Sequence, residues 1–231
     1  MNYNTVLYFE KNDIAYIYID MLPANKMVPE FLEEIVSVIE DCALKTKMSG
    51  IIISGNGRHF SSGADIGRLM QLMKETTKES SHEEYVPKWY ARVKNDFDLL
   101  YHLNIPIIAA INGLCIGSGF ELALHTHLQI AEKNARVGLP ETTFGLLPGI
   151  DGTIRCIEKI GYKKAFEIIM KGELIAAEEA LEYKLVDYIV PKKAAISFAE
   201  KLIHFIMKEP IKYQKTTAQS ELKKFLKICE G

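Results

Sequence analysis

The sequence has few cysteines and no paired arrangement of them. Its 231 residues include four cysteines at wide spacing, none of them in a Cys-x-x-Cys motif. This pattern favours reduced thiols over a disulfide framework or a zinc site. Cys115 lies beside a glycine turn, but its apolar neighbours indicate a buried small residue and not a nucleophile.

Long apolar runs and an excess of one charge are also missing. The run Ile105–Ile111 is too short to span a bilayer, and the polar start Met1–Asn4 has no apolar segment of a secretory signal. The net charge is −2, and basic residues are mixed among acidic ones. We therefore expect a cytoplasmic protein with neither a membrane nor a nucleic-acid partner.

What is present fits one globular α/β domain, with 48% apolar and 25% charged residues. β-Branched and aromatic residues predict a hairpin of strands over 5–10 and 14–20. Helical spacing of apolar residues predicts a helix over about 28–46, with Pro29 in its first turn. A buried strand over 50–54 follows, and this strand–helix–strand order favours a parallel pair.

The middle and the C-terminal part also divide into predicted elements. We expect a helix over about 86–103, a strand over 107–111, a helix from the following glycine segment to about residue 125, and strands over 128–131, 135–138 and 185–190. Beyond residue 151 the chain is largely helical. The polar segment 74–84 has no apolar face and is interpreted as a connector, or alternatively as a lid.

Two glutamates, Glu121 and Glu141, stand in turns marked by glycine or proline and could perform acid–base chemistry. Upstream, the small-residue turn Phe60–Ile66 could direct backbone N–H groups at the same place. Taken alone, Glu121 is better explained as a solvent-facing helix residue and Glu141 as a helix-cap or turn acid. The three segments together suggest an enzyme that forms and quenches an enolate.

Several blocks in order resemble the signature blocks of the enoyl-CoA hydratase/isomerase (crotonase) family. They are His59–Ile66, Ile107–Gly113, Gly117–Ala123, Gly138–Glu141 and Gly145–Gly149. The resemblance implies a crotonase-like spiral of β-β-α units with a helical C-terminal region. It places a catalytic core at 1–190 and a short C-terminal helical region at 191–231, either within the same domain or as a trimerisation or lid element.

The resemblance implies a 2-enoyl-CoA hydratase that adds water to an acyl thioester. The N–H groups of Ala64 and Ser118 would stabilise the thioester oxygen. Glu121 would activate the water and Glu141 would exchange the α-proton. The alternatives are an enoyl-CoA isomerase or related lyase, and a non-catalytic acyl-thioester-binding subunit.

The substrate would be a CoA or acyl-carrier thioester, with no cofactor beyond the coenzyme A of the substrate and no metal. Gly117 and Gly119 would let the thioester approach the backbone, although tight helix packing is the alternative. Arg58, Arg68 and, more weakly, Lys26 are candidates for the CoA phosphates. The remaining expected substrate contacts come from the Ala64 turn and from the segment after Gly149: Ser62, Gly63, Asp65, Ile66 and Asp151.

Some residues depart from the family pattern. Asp151 is interpreted as a helix cap, or alternatively as a charge that tunes a glutamate pKa or repels an acidic acyl group. His125 and His127 could ligate a metal, but no third ligand is evident. The residues Ile211–Gly231 supply only the first of two expected helical stretches. Family members assemble as trimers or pairs of trimers, so a neighbouring subunit could close the acyl pocket.

Overall fold

The computed structural model describes residues 3–45, 47–68 and 88–208. The chain begins with the predicted hairpin, in which β1 (Val6–Lys11) pairs antiparallel with β2 (Ile14–Ile19). Asn12 and Asp13 at its turn have φ angles of 54° and 59°, which Asn and Asp tolerate better than other side chains. The hairpin prediction is confirmed.

The main sheet has six strands in the order β1-β2-β3-β4-β6-β9. Every pairing from β2 onward is parallel. The added strands are β3 (Gly50–Gly55), β4 (Ile107–Ile111), β6 (Leu128–Glu132) and β9 (Tyr188–Val190). All residues of β3, β4 and β6 are buried, as expected for parallel strands covered on both faces.

A second, three-stranded sheet lies beside the first. It contains β5 (Leu114–Ile116), β7 (Arg136–Gly138) and β8 (Ile175–Ala176) in the order β5-β7-β8. Strands β5 and β8 were not predicted, because two or three residues are too few to show a periodic pattern. An isolated parallel bridge between Ser61 and Cys115 joins the predicted small-residue turn to β5.

Seven α-helices and one 3-10 helix are found among the described residues. They are α1 (Pro29–Ala43), α2 (Lys88–His102), α3 (Ser118–Leu124), the 3-10 helix Pro140–Phe144, α4 (Gly152–Ile160), α5 (Tyr162–Lys171), α6 (Ala177–Glu182) and α7 (Ala195–Lys208). The predicted helices over 28–46, 86–103 and the glycine segment are confirmed within a few residues. In the part of the chain that the structure describes, no helix is both long and apolar enough to cross a membrane.

Helices cover both faces of the main sheet. Helix α1 packs with the larger apolar cluster, which includes Phe31, Ile35 and Ile53. Helix α7 packs on the other face, where Leu202 and Ile203 join a second apolar cluster. The polar segment 74–84 and the tail from residue 209 lie outside the described residues, so the lid and the division at residue 190 stay predictions.

Candidate active site

Gly117 lies where β5 ends and α3 begins, and its conformation requires glycine. Its φ is 56° and its ψ is −134°, a region that side chains rarely adopt. A Cβ atom at this position would lie 3.1 Å from Oε1 of Glu141. The N–H of Glu121 donates to the Gly117 carbonyl oxygen at 2.9 Å. Gly117 therefore contacts both glutamates.

Gly63 brings the small-residue turn against Gly117. Its φ is 83°, and a Cβ atom on Gly63 would lie 2.9 Å from the carbonyl oxygen of Ile116. The turn is held by Ser61, whose Oγ accepts the Gly63 N–H at 3.0 Å and donates to the Asn25 carbonyl at 2.7 Å. The two segments that sequence analysis assigned to the oxyanion site are thus in direct contact.

The backbone around Ala64 leaves one N–H group unused. Met27 donates to the Gly63 carbonyl at 2.9 Å, and Asp65 donates to the Met27 carbonyl at 3.1 Å. In this parallel bridge the N–H of Ala64 points away from Met27. No described residue accepts a hydrogen bond from it.

Ser118 supplies the second unused N–H group. It is the first residue of α3, where an N–H has no acceptor within the helix. Within residues 3–45, 47–68 and 88–208 nothing accepts its hydrogen bond. Ala64 and Ser118 therefore offer two free backbone donors on adjoining turns, as an oxyanion site requires.

Gly119 has a different role from Gly117. A Cβ atom on Gly119 would lie 2.5 Å from Cβ of Ser61, so the position is filled by the small-residue turn and not by an open pocket. The tight-packing alternative explains this glycine. Cys115 also packs here, fully buried, with its Sγ 3.5 Å from the Gly119 carbonyl oxygen. Burial raises the pKa of the Cys115 thiol, which disfavours a nucleophile.

The carboxylate of Glu121 is buried and bound by backbone. Its Oε1 accepts the N–H of Ile150 at 2.7 Å and the N–H of Gly152 at 2.9 Å. Burial, together with the negative charges of Glu141 and Asp151, raises the pKa of Glu121 to about 8, although the two N–H bonds oppose the shift. The solvent-facing interpretation is wrong, because only 2% of the residue is exposed.

Glu141 lies on the 3-10 helix, which starts at Pro140. It is 9% exposed, and burial raises its pKa. Its Oε2 is buried and has no hydrogen-bond partner among the described residues. The side chain faces Gly117, so the structure brings the second predicted acid to the same place as the first.

Asp151 is the N-cap residue of α4, but its side chain makes no capping hydrogen bond. The cap interpretation is therefore wrong for the side chain. Its Oδ1 instead lies 2.8 Å from Nζ of Lys94 on α2. The alternative that Asp151 influences a glutamate is supported, because its charge contributes to the raised pKa of Glu121.

The two histidines after α3 have structural contacts. Nδ1 of His125 donates to the carbonyl oxygen of Glu121 at 2.8 Å. Nδ1 of His127 accepts the N–H of Ile107 at 3.2 Å, and its Nε2 donates to the Tyr101 carbonyl at 3.1 Å. Among the described residues no group of three or more potential ligands could hold a metal ion.

The candidate cations for the CoA phosphates differ in their contacts. Arg58 is exposed, whereas Arg68 pairs with Glu30 at 2.5 Å and Lys26 lies 3.5 Å from Asp65. Asp65 also accepts the N–H of Arg68 at 3.2 Å, so it stabilises its own segment. Of the three cations, Arg58 alone has no ion pair among the described residues.

The remaining expected contacts, Ser62 and Ile66, are half-buried in the same segment as Ala64. The hydroxyl of Ser62 is buried and finds no partner in the described part of the chain. Ser62 thus keeps a polar group available beside the Ala64 turn.

Sequence reasoning missed three participants. The N–H groups of Ile150 and Gly152 bind Glu121, and Lys94 binds Asp151. A Cβ atom on Gly152 would lie 2.7 Å from Oε1 of Glu121, but this need for glycine is visible only in the structure. Lys94 carried none, because nothing distinguishes it from other cations on its helix.

Comparison with known proteins gives a consistent result. Residues 10–226 match the family model described as enoyl-CoA hydratase/isomerase. A Bacillus subtilis (strain 168) protein named "Probable enoyl-CoA hydratase" is 36% identical over 197 residues, 81% of this chain and 73% of that protein. The 2,3-dehydroadipyl-CoA hydratase of Escherichia coli (strain K12) is 35% identical over 178 residues, 77% of this chain and 66% of that protein.

Longer relatives match over a part of their length only. The chain spans 27% of the fatty acid oxidation complex subunit alpha of Idiomarina loihiensis, with 33% identity over 202 residues.

Solved structures match the fold. One from Geobacillus kaustophilus HTA426, described as enoyl-CoA hydratase subunit I, has a TM-score of 0.79 and 28% identity and covers 96% of this chain and 83% of that one. An enoyl-CoA hydratase from Bacillus anthracis has a TM-score of 0.78 and 25% identity and covers 96% and 89%. The predicted mixed α/β crotonase fold is confirmed, and the chain belongs to the enoyl-CoA hydratase/isomerase (crotonase) family.

Proposed function

We propose that the protein is a 2-enoyl-CoA hydratase, which adds water across the conjugated double bond of an acyl thioester. The observation that carries this proposal is the meeting of two buried carboxylates, Glu121 and Glu141, beside two unused backbone N–H groups, those of Ala64 and Ser118. The relatives named as enoyl-CoA and 2,3-dehydroadipyl-CoA hydratases support it.

The thioester carbonyl would bind between the N–H groups of Ala64 and Ser118. Water attacks the β-carbon, Glu121 takes a proton from the water, and the electron pair of the double bond moves onto the thioester oxygen. The two fixed N–H donors stabilise the resulting enolate without reorganisation. Glu141 then gives a proton to the α-carbon, which completes the addition.

This sequence of steps needs one ionised and one protonated carboxyl group at the start. Two buried carboxyls that repel each other's charge favour this singly protonated state. Burial and the charges of Glu141 and Asp151 raise the pKa of Glu121 to about 8, but the two carboxyls titrate as a coupled pair. We assign the ionised form to Glu121 because only its carboxylate accepts two backbone N–H bonds from the turn after Gly149. Glu141 lacks such donors among the described residues except its own backbone N–H, which suits the proton-carrying partner.

An isomerase or related lyase is the second candidate. An isomerase can work with one carboxylate that moves a proton between carbons. The presence of two acids in different hydrogen-bonding environments favours hydration. The third candidate, a non-catalytic acyl-thioester-binding subunit, would use the same N–H groups without needing the buried acids.

Turnover of a panel of short, medium, branched and aromatic 2-enoyl-CoAs tests the proposal. Hydration removes the absorbance of the conjugated thioester and adds the mass of one water. Isomerisation of a 3-enoyl-CoA instead increases this absorbance without a change of mass. Tight binding of CoA esters with no turnover over the whole panel would support the binding-subunit alternative and contradict hydration.

Arg58 is proposed as a contact of the CoA phosphates, together with Ser62, Gly63, Asp65 and Ile66 around the thioester. The Arg58 side chain is exposed and lies six residues before Ala64 in the chain, and a guanidinium is well suited to bind a phosphate. Arg58→Ala should raise KM for CoA thioesters several-fold and leave kcat nearly unchanged. An unchanged KM would remove Arg58 from the site.

A homotrimer or a pair of trimers is proposed as the assembly. The 3-10 helix, the segment after it and α5 expose large apolar side chains that a soluble monomer would normally bury in a partner. They are Phe144, Leu147, Tyr162, Phe166 and Met170, each between 54% and 68% exposed. Light scattering after size exclusion should give three or six copies for the parent and a smaller mass for Phe166→Glu.

A further inference from the structure

The turn that holds Glu121 is centred on Asp151. The N–H groups of Ile150 and Gly152, one on each side of Asp151, both donate to Oε1 of Glu121. The geometry is tight, because a Cβ atom on Gly152 would lie 2.7 Å from the same oxygen. A change in the backbone angles of Asp151 would therefore move at least one of the two donors.

Asp151 has backbone angles that glycine adopts more easily. Its φ is 58° and its ψ is 15°, in the left-handed region. Its side chain lies 2.8 Å from Nζ of Lys94 and is only 18% exposed, whereas Lys94 is 45% exposed. The ion pair thus joins the turn to α2 through Asp151, the residue of the turn that has the left-handed backbone conformation.

Other contacts fix α2 against α4 and so fix the position of Lys94. Arg155 on α4 bonds to Asp98, which lies one turn beyond Lys94 on α2. The Arg155 guanidinium also lies 4.3 Å from the centre of the Tyr101 ring. Lys94 therefore lies one turn from the point where α2 is bonded to α4.

We propose that Lys94 and Asp151 form a positioning pair that holds the Ile150–Gly152 turn so that its two N–H groups bind the Glu121 carboxylate. The consequence for catalysis rests on the proposed hydratase function. The effect on the carboxylate itself does not, since it follows from the geometry of the turn and the charges beside it.

Charged and titratable groups from every neighbouring element face Glu121. Burial lowers the pKa of His125 and raises the pKa of Cys156, so both stay neutral near neutral pH. The charges that remain and act on Glu121 are Glu141 on the 3-10 helix and Asp151 at the turn. Lys94 pairs with Asp151, Arg155 and Asp98 act on His125, and Lys159 acts on Cys156. The Lys94–Asp151 ion pair can be broken by a single substitution at either residue, which leaves the charge of Glu141 in place.

The experiment measures the titration of Glu121 in protein labelled with ¹³C at the glutamate carboxyl carbon, with Glu121→Gln to assign the signal. Lys94→Met leaves the Asp151 charge unpaired and should raise the midpoint by about half a unit. Asp151→Asn leaves the Lys94 charge unpaired and should lower it by a similar amount. The double variant keeps the net charge of the parent but lacks the ion pair, so displaced N–H donors should leave its midpoint above that of the parent.

Turnover is measured on the same proteins. Lys94→Met should lower kcat for the preferred enoyl-CoA about tenfold with KM within twofold, and Lys94→Arg, which keeps the charge, should restore most of it. Asp151→Gly should retain more activity than Asp151→Ala, because glycine adopts the left-handed turn without strain. Lys171→Met is the control, since it breaks a different lysine–carboxylate pair, with Glu167 at 2.9 Å on α5.

Charge alone predicts opposite shifts of the two single variants and a parent-like double variant. A positioning pair predicts in addition that the double variant has a raised midpoint and a lowered kcat, because its turn no longer holds the two N–H groups against the carboxylate. A double variant with the midpoint and kcat of the parent, or with changes no larger than those of Lys171→Met, would overturn the proposal. If no thioester is hydrated but the double variant has a raised midpoint, the proposed function fails while the pair still positions Glu121. If hydration occurs and the double variant behaves like the parent, only the pair is refuted.

Discussion

Glu121 and Glu141 are both buried, yet the protein holds their carboxyl groups in different ways. Two backbone N–H groups from the start of α4 bind Oε1 of Glu121. Oε2 of Glu141 has no partner in the described part of the chain. A carboxylate fixed by two donors suits the task of orienting a water molecule. A carboxyl with a free oxygen suits the transfer of a proton to and from carbon.

Replacement of each acid by glutamine separates the two tasks and has the largest expected effect. Glu121→Gln and Glu141→Gln should each lower kcat for hydration by about 10²–10⁴-fold, because each removes a proton-transfer group. In D₂O, Glu121→Gln should still exchange the α-proton of the hydrated product or a saturated acyl-CoA. Glu141→Gln should not, and this is followed by mass spectrometry.

Retention of parent-like hydration by both glutamine variants would contradict the acid–base assignment. Equal loss of exchange in both would show that the two carboxyls act as one unit, against the division of tasks. Circular dichroism of both variants controls for the fold.

Gly152→Ala acts on the fixed side alone. The added methyl group would lie 2.7 Å from Cγ and Oε1 of Glu121, so the carboxylate or the turn must move. We expect a loss of about 10²-fold in kcat, comparable to other misplacements near reacting groups. Steady-state kinetics measure it, and Gly67→Ala, where a Cβ atom meets only an Asp65 oxygen at 3.5 Å, serves as control. Parent-like turnover would show that the anchoring of Glu121 is dispensable.

Gly117→Ala acts on the unanchored side. Its methyl group would lie 3.1 Å from Oε1 of Glu141, in a backbone conformation with φ of 56°. We expect a loss of roughly tenfold or more in kcat, and part of it comes from backbone strain, roughly 1–3 kcal/mol. Gly145→Ala is a partial control, because Gly145 has φ of 73° and ψ of 19°, a less strained left-handed conformation, and nothing lies within 4 Å of the added methyl group. Equal effects of the two variants would mean that contact with Glu141 is unimportant.

The stability of the protein should also change, by less than the two glutamine variants change kcat. The pKa of Glu121 is raised to about 8 in the folded protein, above its ordinary value of 4.5. The neutral carboxyl therefore contributes stability at low pH, and this contribution is lost as pH rises through about 8. Glu121→Gln stays neutral and can still accept both backbone bonds.

Chemical denaturation at several pH values checks this sign. The free energy of unfolding of Glu121→Gln, minus that of the parent, should increase by about 1–3 kcal/mol as the pH rises from 5 to 9. If the free energy of unfolding of Glu121→Gln instead rises relative to the parent as the pH falls, the pKa of Glu121 is lowered by its two N–H bonds and not raised by burial.

The fold was largely predictable because its central elements carry strong patterns. The apolar run of β4 has five residues, β3 contains three consecutive isoleucines, and α1 has helical spacing over its whole length. Strands β5 and β8 have three and two residues, too few for such a pattern. The described ends of the predicted elements differ by a few residues, as backbone capping decides them locally.

The site was predictable only in part. The resemblance in ordered blocks identified both glutamates and the Ala64 and Ser118 turns, and the structure brings these together. The partners of Glu121 were not predictable, because backbone N–H groups have no sequence identity. Lys94 reaches Asp151 through the packing of α2 on α4, which no pattern along the chain reports.

The bridge between Met27 and Ala64 has a consequence for how the protein tolerates change. Met27 bonds to the carbonyl of residue 63 and to the N–H of residue 65. The N–H of residue 64 is therefore free because of the register of these two bonds, and not because residue 64 is alanine. Substitutions at 64 can therefore reshape the adjoining surface and leave the donor in place. Insertion or deletion of one residue in this segment would turn that N–H away, whatever residue occupied it.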